Sequence, residues 1–424
     1  MIRILNSKNI TKEEILCRVE TPANVDGAVD EVLANVRENG DKALLEYTKK
    51  FDKADIDKVE VSDAEMLEAM SLADEKFVSV IKEAAENIRN FHKRQVRGDF
   101  VTNDREGVVL GQRVIPLSRV GLYVPGGTAS YPSTVLMNCI PAKLAGVSEI
   151  IMATPPKADG KIPAEILVAA SVAGVDRIFK MGGAQAVAAM AYGTESVPNV
   201  DKIVGPGNIF VARAKAKVRG IVDIDMIAGP SEILVIADGK SDPELVAADM
   251  LSQAEHDKLA ASILITDSEA LAYEVQKELE KQIDELPRRE IARASIDDHG
   301  RIIITESIEK AIEISNLIAP EHLELCVDKP FDILGLVKNA GSVFLGRNTP
   351  ESVGDYYAGT NHTLPTSGTA RFSSPLSVDD FVKTTQFIYY SDDALKRDAD
   401  GIAYFAEKEG LSAHARAVTK RMEK

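Results

Sequence analysis

The sequence predicts an α/β protein of two doubly wound modules, with a helical segment ahead of them and an extended helical tail behind. Three observations predict it. Short β-rich runs alternate with Ala-rich helical stretches from about residue 113; a second series of the same kind follows Gly229-Pro230; and from about 376 only helical patterning remains. Strands separated by helices of this length imply right-handed βαβ crossovers and a parallel sheet. A chain of 424 residues also exceeds one ordinary core, which agrees with two modules.

In order along the chain, residues 10–97 read as charged and helical, with Val29, Val32, Leu33, Val36 and then Leu44 and Leu45 at helical spacing. The first module has strands at 120–124, 149–152, 177–180 and 202–204, separated by helices at 131–145, 163–174, 184–192 and 208–218. The second has strands at 232–236, 261–265, 301–304 and 342–345, with helices at 243–256, 268–285 and 306–318. Each module is an incomplete Rossmann-like unit. Ser241-Asp242-Pro243-Glu244 opens a helix as a capping box or with proline in its first turn. In the tail, Leu395, Ala399, Ile402 and Ala406 share one face and Gly410 marks a stop. So small an amphipathic element cannot build its own core and must dock, a partner subunit being one candidate.

Composition narrows the function. A net charge of −16 argues against a nucleic-acid or anionic-membrane surface, and the lack of Trp argues against base-stacking platforms. The opening MIRILNSKNITKEE has no long apolar core of a signal peptide, and no apolar run approaches the roughly 20 residues of a membrane span. Cys17, Cys139 and Cys326 are odd in number and far apart, so neither a disulfide framework nor a thiolate zinc site is expected. The expectation is a reduced, cytoplasmic protein.

Chemistry concentrates in two kinds of motif. Gly126-Gly127, Gly182-Gly183 and Val204-Gly205-Pro206-Gly207-Asn208 each join a strand to a helix, where glycine lets a ligand approach backbone N–H groups at a helix start. None is a full dinucleotide fingerprint, since Phe210 stands where a third glycine would fall, but three such turns on neighbouring strands point to the carboxyl edge of the first sheet. The second kind holds histidines, of which the chain has only six. Gln253 and His256 lie three apart on one helix, with Asp249 on the same stripe; a metal site and a solvated polar face explain them equally well. Zinc prefers Cys, His and carboxylate, so Gln and His alone are a poor pair and other ligands must come from elsewhere. Asp355 and His362 bound a loop rich in Gly, Thr and Asn, either flexible or organised by a ligand. Glu321 and His322 reach one site only at an irregular turn, which Pro320 would supply; a helix-end histidine is the alternative. His414 reads as a tail-surface residue with Glu409 near it, His92 as a helix surface, His299 as a loop tip, and Cys139 and Cys326 as core.

Taken together, eight ordered motifs resemble the histidinol dehydrogenase family over nearly the whole chain. They are 121–127 (GLYVPGG), 182–185 (GGAQ), 204–208 (VGPGN), 228–232 (AGPSE), 253–256 (QAEH), 319–322 (APEH), Gly354-Asp355 with 359–362 (GTNH), and 409–414 (EGLSAH). The resemblance implies oxidation of L-histidinol to L-histidine through the aldehyde, the last steps of histidine biosynthesis, with two NAD reduced and one Zn2+ per subunit. It implies Gln253, His256, Asp355 and His414 as zinc ligands and Tyr123, Gln185 and Asn208 as NAD contacts. Ser231, Gln253, His256, His322, Asp355, Glu409 and His414 would meet the substrate, with Glu321 and His322 as general bases. It further implies an intertwined homodimer in which the tail completes the partner's site, with neither nucleic acid nor membrane as a partner. The expected division is an N-terminal helical arm (1–25), a discontinuous catalytic and metal-binding domain (26–119 and 233–375), an NAD-binding domain (120–232) and the docking tail (376–424). Three other functions fit parts of the pattern. A zinc hydrolase leaves the glycine turns without a task, a thiol aldehyde dehydrogenase needs an exposed and activated Cys326 or Cys139, and a two-lobed binding protein performs no redox chemistry.

Overall fold

The structure is a computed structural model that describes residues 1–16, 25–126 and 130–423. Two compact units emerge: residues 1–95 with 117–381, and residues 96–116 with 382–424. The sequence reading kept 96–116 with the range 26–119, apart from the tail.

The first unit begins with strand β1 (Arg3–Asn6) and the short helix α1 (Lys12–Ile15), so the expected helical arm opens on a strand. Helices α2 (Asp26–Tyr47), α3 (Asp63–Leu72) and α4 (Glu75–His92) follow, as their periodicity predicts. His92, expected on a helix surface, is buried instead, its Nδ1 2.7 Å from Gln95 Oε1. The first module then runs β4 (Arg119–Tyr123), α5 (Pro132–Ala145), β5 (Glu149–Thr154), α6 (Ala164–Ala173), β6 (Arg177–Lys180), α7 (Gly183–Tyr192), β7 (Lys202–Val204), α8 (Ile209–Val218) and β8 (Asp223–Ile224). Its five strands are all parallel, in the order β6-β5-β4-β7-β8.

The second module repeats that winding. It comprises β9 (Glu232–Ala237), α9 (Pro243–Ala254), β10 (Ala261–Thr266), α10 (Glu269–Ile283), α11 (Arg289–Asp298), β11 (Arg301–Ile304), α12 (Ile308–Ile318), β12 (His322–Cys326), α13 (Pro330–Leu334) and β13 (Ser342–Leu345), with α14 (Glu351–Tyr356) after it. Its parallel order is β1-β11-β10-β9-β12-β13, which is the first module's order with β1 added at one edge. Both sheets are buried on both faces. Val120, Leu122 and Met152 pack on one side of the first and Ile151, Phe179 and Ile203 on the other, while Val235 and Leu264 oppose Leu234 and Ile263 in the second. That double burial is why these strands read as continuous apolar runs.

In each sheet the winding reverses between two adjacent strands, β4 and β7 in the first and β9 and β12 in the second. Such reversals leave a crevice where ligands of doubly wound sheets bind, normally at the carboxyl ends of the strands. At the carboxyl ends of β9, β12 and β13 that space is occupied by the protein itself. Arg347 bonds both Asp238, at 2.5 Å, and Asp328, at 2.7 Å, and Ser241 donates its hydroxyl to the Cys326 carbonyl.

The second unit holds a three-stranded antiparallel sheet, β14-β3-β2, made from the hairpin β2 (Phe100–Arg105) and β3 (Val108–Pro116) with β14 (Val382–Tyr390). Helices α15 (Asp392–Lys408) and α16 (Ser412–Met422) follow and pack on each other. The helical tail is present as expected, but strand β14 precedes it. Its residues, VKTTQFIYY, are β-branched and aromatic, a strand composition that the search for a helical face passed over.

Candidate active site

Glu321 and His322 meet because the chain turns sharply before β12. Helix α12 ends at Ile318, Ala319 takes a left-handed conformation (φ 53°), and Pro320 precludes further helix. The irregular turn expected from Pro320 is therefore present, and the two side chains lie 3.8 Å apart, Glu321 Oε2 to His322 Nδ1. Nδ1 is also 3.1 Å from the Glu232 carbonyl oxygen, which can only accept, so that nitrogen carries the ring proton. Nε2 then faces Asp355 Oδ1 at 3.7 Å and Glu351 Oε1 at 3.8 Å. It is buried and has no hydrogen-bond partner among the described residues, and the same holds for Glu351 Oε2.

Burial pushes the Glu321 carboxyl up to about 8, although its Oε2 accepts the Glu232 N–H at 2.8 Å and His322 lies beside it. Burial acts against a charged His322 as well, but the carboxylates of Glu351, Glu321 and Asp355 outweigh it and raise the ring's proton affinity well above the usual value. Glu351 is raised to about 7, again chiefly by burial. Asp355 goes the other way: burial acts against its charge, but the facing His322 ring and the nearby His362 and His256 rings outweigh it and hold its carboxyl below the usual value. One firm anion thus stands among carboxyls poised near neutrality.

Gln253 lies on α9, only 1% exposed, with Nε2 3.3 Å from His322 Nδ1, so the solvated-face reading fails for it. The helix ends at Ala254 and not at 256, and His256 sits in the turn beyond, its N–H on the Gln253 carbonyl. Burial depresses the His256 proton affinity, with Asp355 the largest charge opposing that. Ser231 directly precedes β9, beside Glu232. His362 donates from Nδ1 to the Asp355 carbonyl at 3.0 Å, and its Nε2 is 3.4 Å from Thr134 Oγ1 on α5. The loop around it is organised by protein contacts: Asn361 donates to the Met137 carbonyl and Thr363 to Asn138 Oδ1, both on α5. Gly359 makes this possible, since at φ 102° a Cβ there would come within 2.5 Å of the Asn87 carbonyl.

The other group lines the carboxyl edge of the first sheet. Tyr123 ends β4, and its phenol oxygen accepts the Gly183 N–H at 3.0 Å; burial pushes that phenol up to about 12. A Cβ on Gly207 would lie 3.0 Å from the Tyr123 ring, so this tyrosine touches two of the three glycine turns. Gln185 is buried in the first turn of α7, and Asn208 caps α8, accepting from the Phe210 and Val211 N–H groups. Gly127 lies outside the described residues, as does Cys17. Glu409 and His414 belong to the second unit, where both are exposed.

Sequence reasoning passed over Glu351, Glu232 and Thr134. The spacing of Glu351 and Asp355, four apart and so on one helical face, is a signal that would have found the first. Asp249, expected on the same stripe as Gln253, faces inward as Gln253 does: burial raises its carboxyl to about 6, beside Glu324. Cys139 and Cys326 lie in the core as expected. Burial lifts the Cys139 thiol to about 12 and the Cys326 thiol higher, so neither is an activated nucleophile near neutrality.

The donor set suits a divalent cation. Ligand atoms of His322, Glu351 and Asp355 lie within 4.8 Å of one another, with Gln253 and His256 around them and orphaned buried atoms between. This cluster sits at the amino ends of β9 and β12, opposite to the usual edge, whereas the glycine turns obey the rule.

Comparison with known proteins agrees with the eight motifs. The family described as Histidinol dehydrogenase matches residues 18–422. The histidinol dehydrogenase of Clostridium acetobutylicum is 54% identical over 390 residues, covering 92% of this chain and 90% of that one. That of Bacillus cereus is 56% identical over 395 residues, covering 93% and 92%. A crystal structure of histidinol dehydrogenase from Elizabethkingia anophelis superposes with a TM-score of 0.95 at 41% identity, covering 100% of this chain and 98% of that one.

Proposed function

The chain belongs to the histidinol dehydrogenase family, and from that premise we propose that it oxidises L-histidinol to L-histidine through L-histidinal, the last steps of histidine biosynthesis, in the cytoplasm. One L-histidinol, two NAD+ and one water give L-histidine, two NADH and three protons. The observation that carries the reading is the buried Glu321–His322 pair, one base for each oxidation, beside a cluster of cation-binding donors. Bound NAD would take up the two hydrides, and a zinc ion, which Gln253, His256, Asp355 and the tail's His414 would hold, would supply a positive anchor for the substrate's amine and imidazole.

His322 takes the hydroxyl proton in the first oxidation. Its Nδ1–H is committed to the Glu232 carbonyl, so Nε2 is the basic nitrogen, and that atom lacks a protein partner. In the free protein the facing carboxylates keep a proton on the ring; neutralising part of that negative charge when the cationic substrate binds frees Nε2 to accept. Glu321 removes a proton from water so that the aldehyde is hydrated and the second oxidation follows. A carboxyl near 8 is matched to that task, because its conjugate base is strong enough to draw on water yet still forms near neutral pH. No activated thiol is needed, in keeping with two inert cysteines.

In this reading Tyr123, Gln185 and Asn208 contact NAD at the glycine turns of residues 120–232, and residues 26–119 with 233–375 carry the metal and the bases. Ser231, Gln253, His256, His322, Asp355, Glu409 and His414 hold the substrate. Residues 376–424 serve the partner subunit of a homodimer, placing Glu409 and His414 in its site. Support comes from the apolar residues that this segment exposes, Ile402, Tyr404, Phe405 and Leu411, which a partner would cover. No helix among the described residues is long and apolar enough to cross a membrane.

The test is stoichiometric. With L-histidinol and NAD the protein is expected to yield two NADH per histidinol, and a chelator to abolish the yield, with zinc restoring it. Absence of NADH from the metal-replete protein rejects the dehydrogenase; a chelator-resistant yield rejects the metal.

A further inference from the structure

The geometry points to Lys215 and Asp225 as positioning residues for the dinucleotide, acting through the backbone of Gly205. The inference rests on the reading that the turn at Gly205–Asn208 receives NAD. Strand β7 ends at Val204, so Gly205 is the first residue of the turn without a ladder partner. A buried peptide in that position must find its hydrogen bonds elsewhere. It finds both in one ion pair. The Gly205 N–H donates to Asp225 Oδ2 at 2.7 Å, and the Gly205 carbonyl accepts from Lys215 Nζ at 2.8 Å. Lys215 Nζ also bonds Asp225 Oδ1, which takes the Met226 N–H at 2.6 Å as well.

Two aspects make this more than an ordinary ion pair. The side chains are only 2% and 1% exposed, and a pair so deeply buried gives little or no stability over an apolar pair of similar volume. What an apolar pair could not do is hold the N–H and C=O of one residue at once. The held residue is also unusual: Gly205 sits at φ 115°, so close to its neighbour that a Cβ would fall 2.1 Å from the Tyr123 carbonyl. The turn it opens carries Gly207, which lies against the Tyr123 ring, and Asn208, which caps α8. Lys215 stands on α8 and Asp225 just after β8. The pair therefore ties the end of β7, the helix it enters and the edge strand of the sheet to one backbone orientation. None of these atoms belongs to the Glu321–His322 cluster, so a fault here falls on the dinucleotide and not on the bases.

The test uses the metal-loaded, full-length enzyme with both charges removed together, Lys215→Met with Asp225→Leu, so that no lone charge stays buried. The expected result is a KM for NAD raised about tenfold or more, with the NAD dissociation constant following it, while kcat at saturating NAD and KM for L-histidinol stay within about threefold. Should the double variant not fold, Lys215→Arg carries the test, because a planar guanidinium keeps the charge but cannot place its nitrogen where Nζ sits; the KM for NAD should again rise and the KM for histidinol hold. Asn208→Ala serves as the reference for the turn itself. If Asn208→Ala raises the KM for NAD and folded Lys215 variants do not, the positioning role is overturned while the NAD reading stands. If neither affects NAD, both are overturned. A fall in kcat with an unchanged KM for NAD likewise overturns the inference.

Discussion

Glu321→Gln separates what this carboxyl does from what it costs the fold. The amide has the same shape and still offers an oxygen to the Glu232 N–H, 2.8 Å away, so the turn before β12 should persist. The work lost is proton abstraction from water, and a general base contributes roughly 10²–10⁴-fold. Since the carboxyl is raised to about 8, only about a tenth of it is ionised at pH 7, and the loss visible there should lie near the low end, about 10²–10³. It should grow as pH rises through 8, where the native enzyme speeds up and the variant does not. Stability should move oppositely. The folded state holds the Glu321 proton up to about 8 and the unfolded chain only to its ordinary 4.5. Stability from that proton is therefore complete below 4.5 and is lost as pH climbs through 8, up to about 5 kcal/mol before the charge of His322 returns part of it. Glutamine has nothing to lose, so the variant should melt higher than the native protein at pH 9 and the difference should shrink at pH 5. The assay compares NADH formed from L-histidinal with NADH formed from L-histidinol in the presence of semicarbazide, which traps the aldehyde after the first oxidation. Histidinal oxidation should collapse, while the trapped first half falls less than about tenfold. Equal losses in both halves, or a variant that keeps the rising limb near pH 8, would refute the assignment.

The remaining predictions concern the shared site and the cysteines. His414→Asn and His322→Ala should each be nearly inactive, yet dimers re-formed from an equal mixture should recover about a quarter of native turnover, because half are mixed and each mixed dimer keeps one complete site. Verified mixed dimers without activity would place His414 outside the partner's site. Cys139→Ala and Cys326→Ala should leave kcat within about twofold, since neither thiol ionises near neutrality; a loss of orders of magnitude in either would revive a thiol mechanism.

The two modules were legible because parallel strands covered on both faces leave unbroken apolar runs, such as EILVIA in β9 and ASILIT in β10. The strands of the second unit were not. Strand β14 is mostly exposed on both faces, so it shows no alternation, and only its β-branched and aromatic content hints at a strand. The candidate site was legible by residue type and illegible by place. Sequence put Gln253, His256, His322 and Asp355 into polar motifs, but a rule learned from carboxyl edges says nothing of Arg347 closing that edge between Asp238 and Asp328. Glu351 escaped because an acid at a helix start reads as a partner of the helix dipole, and its four-residue step to Asp355 matters only once both face His322.

Strand β1 joins its sheet by pairing with β11, Arg3 beside Arg301. Nearly three hundred residues separate them, so at about 5–20 residues per second of synthesis β1 waits on the order of 15–60 s for the strand it will lie against. During that time its backbone is an open template and Ile2, buried in the finished protein, is bare. Closing so long a loop is also slow in refolding. The second module therefore completes only after most of the chain has emerged, and the first residues cannot be locked in before β11 has been made.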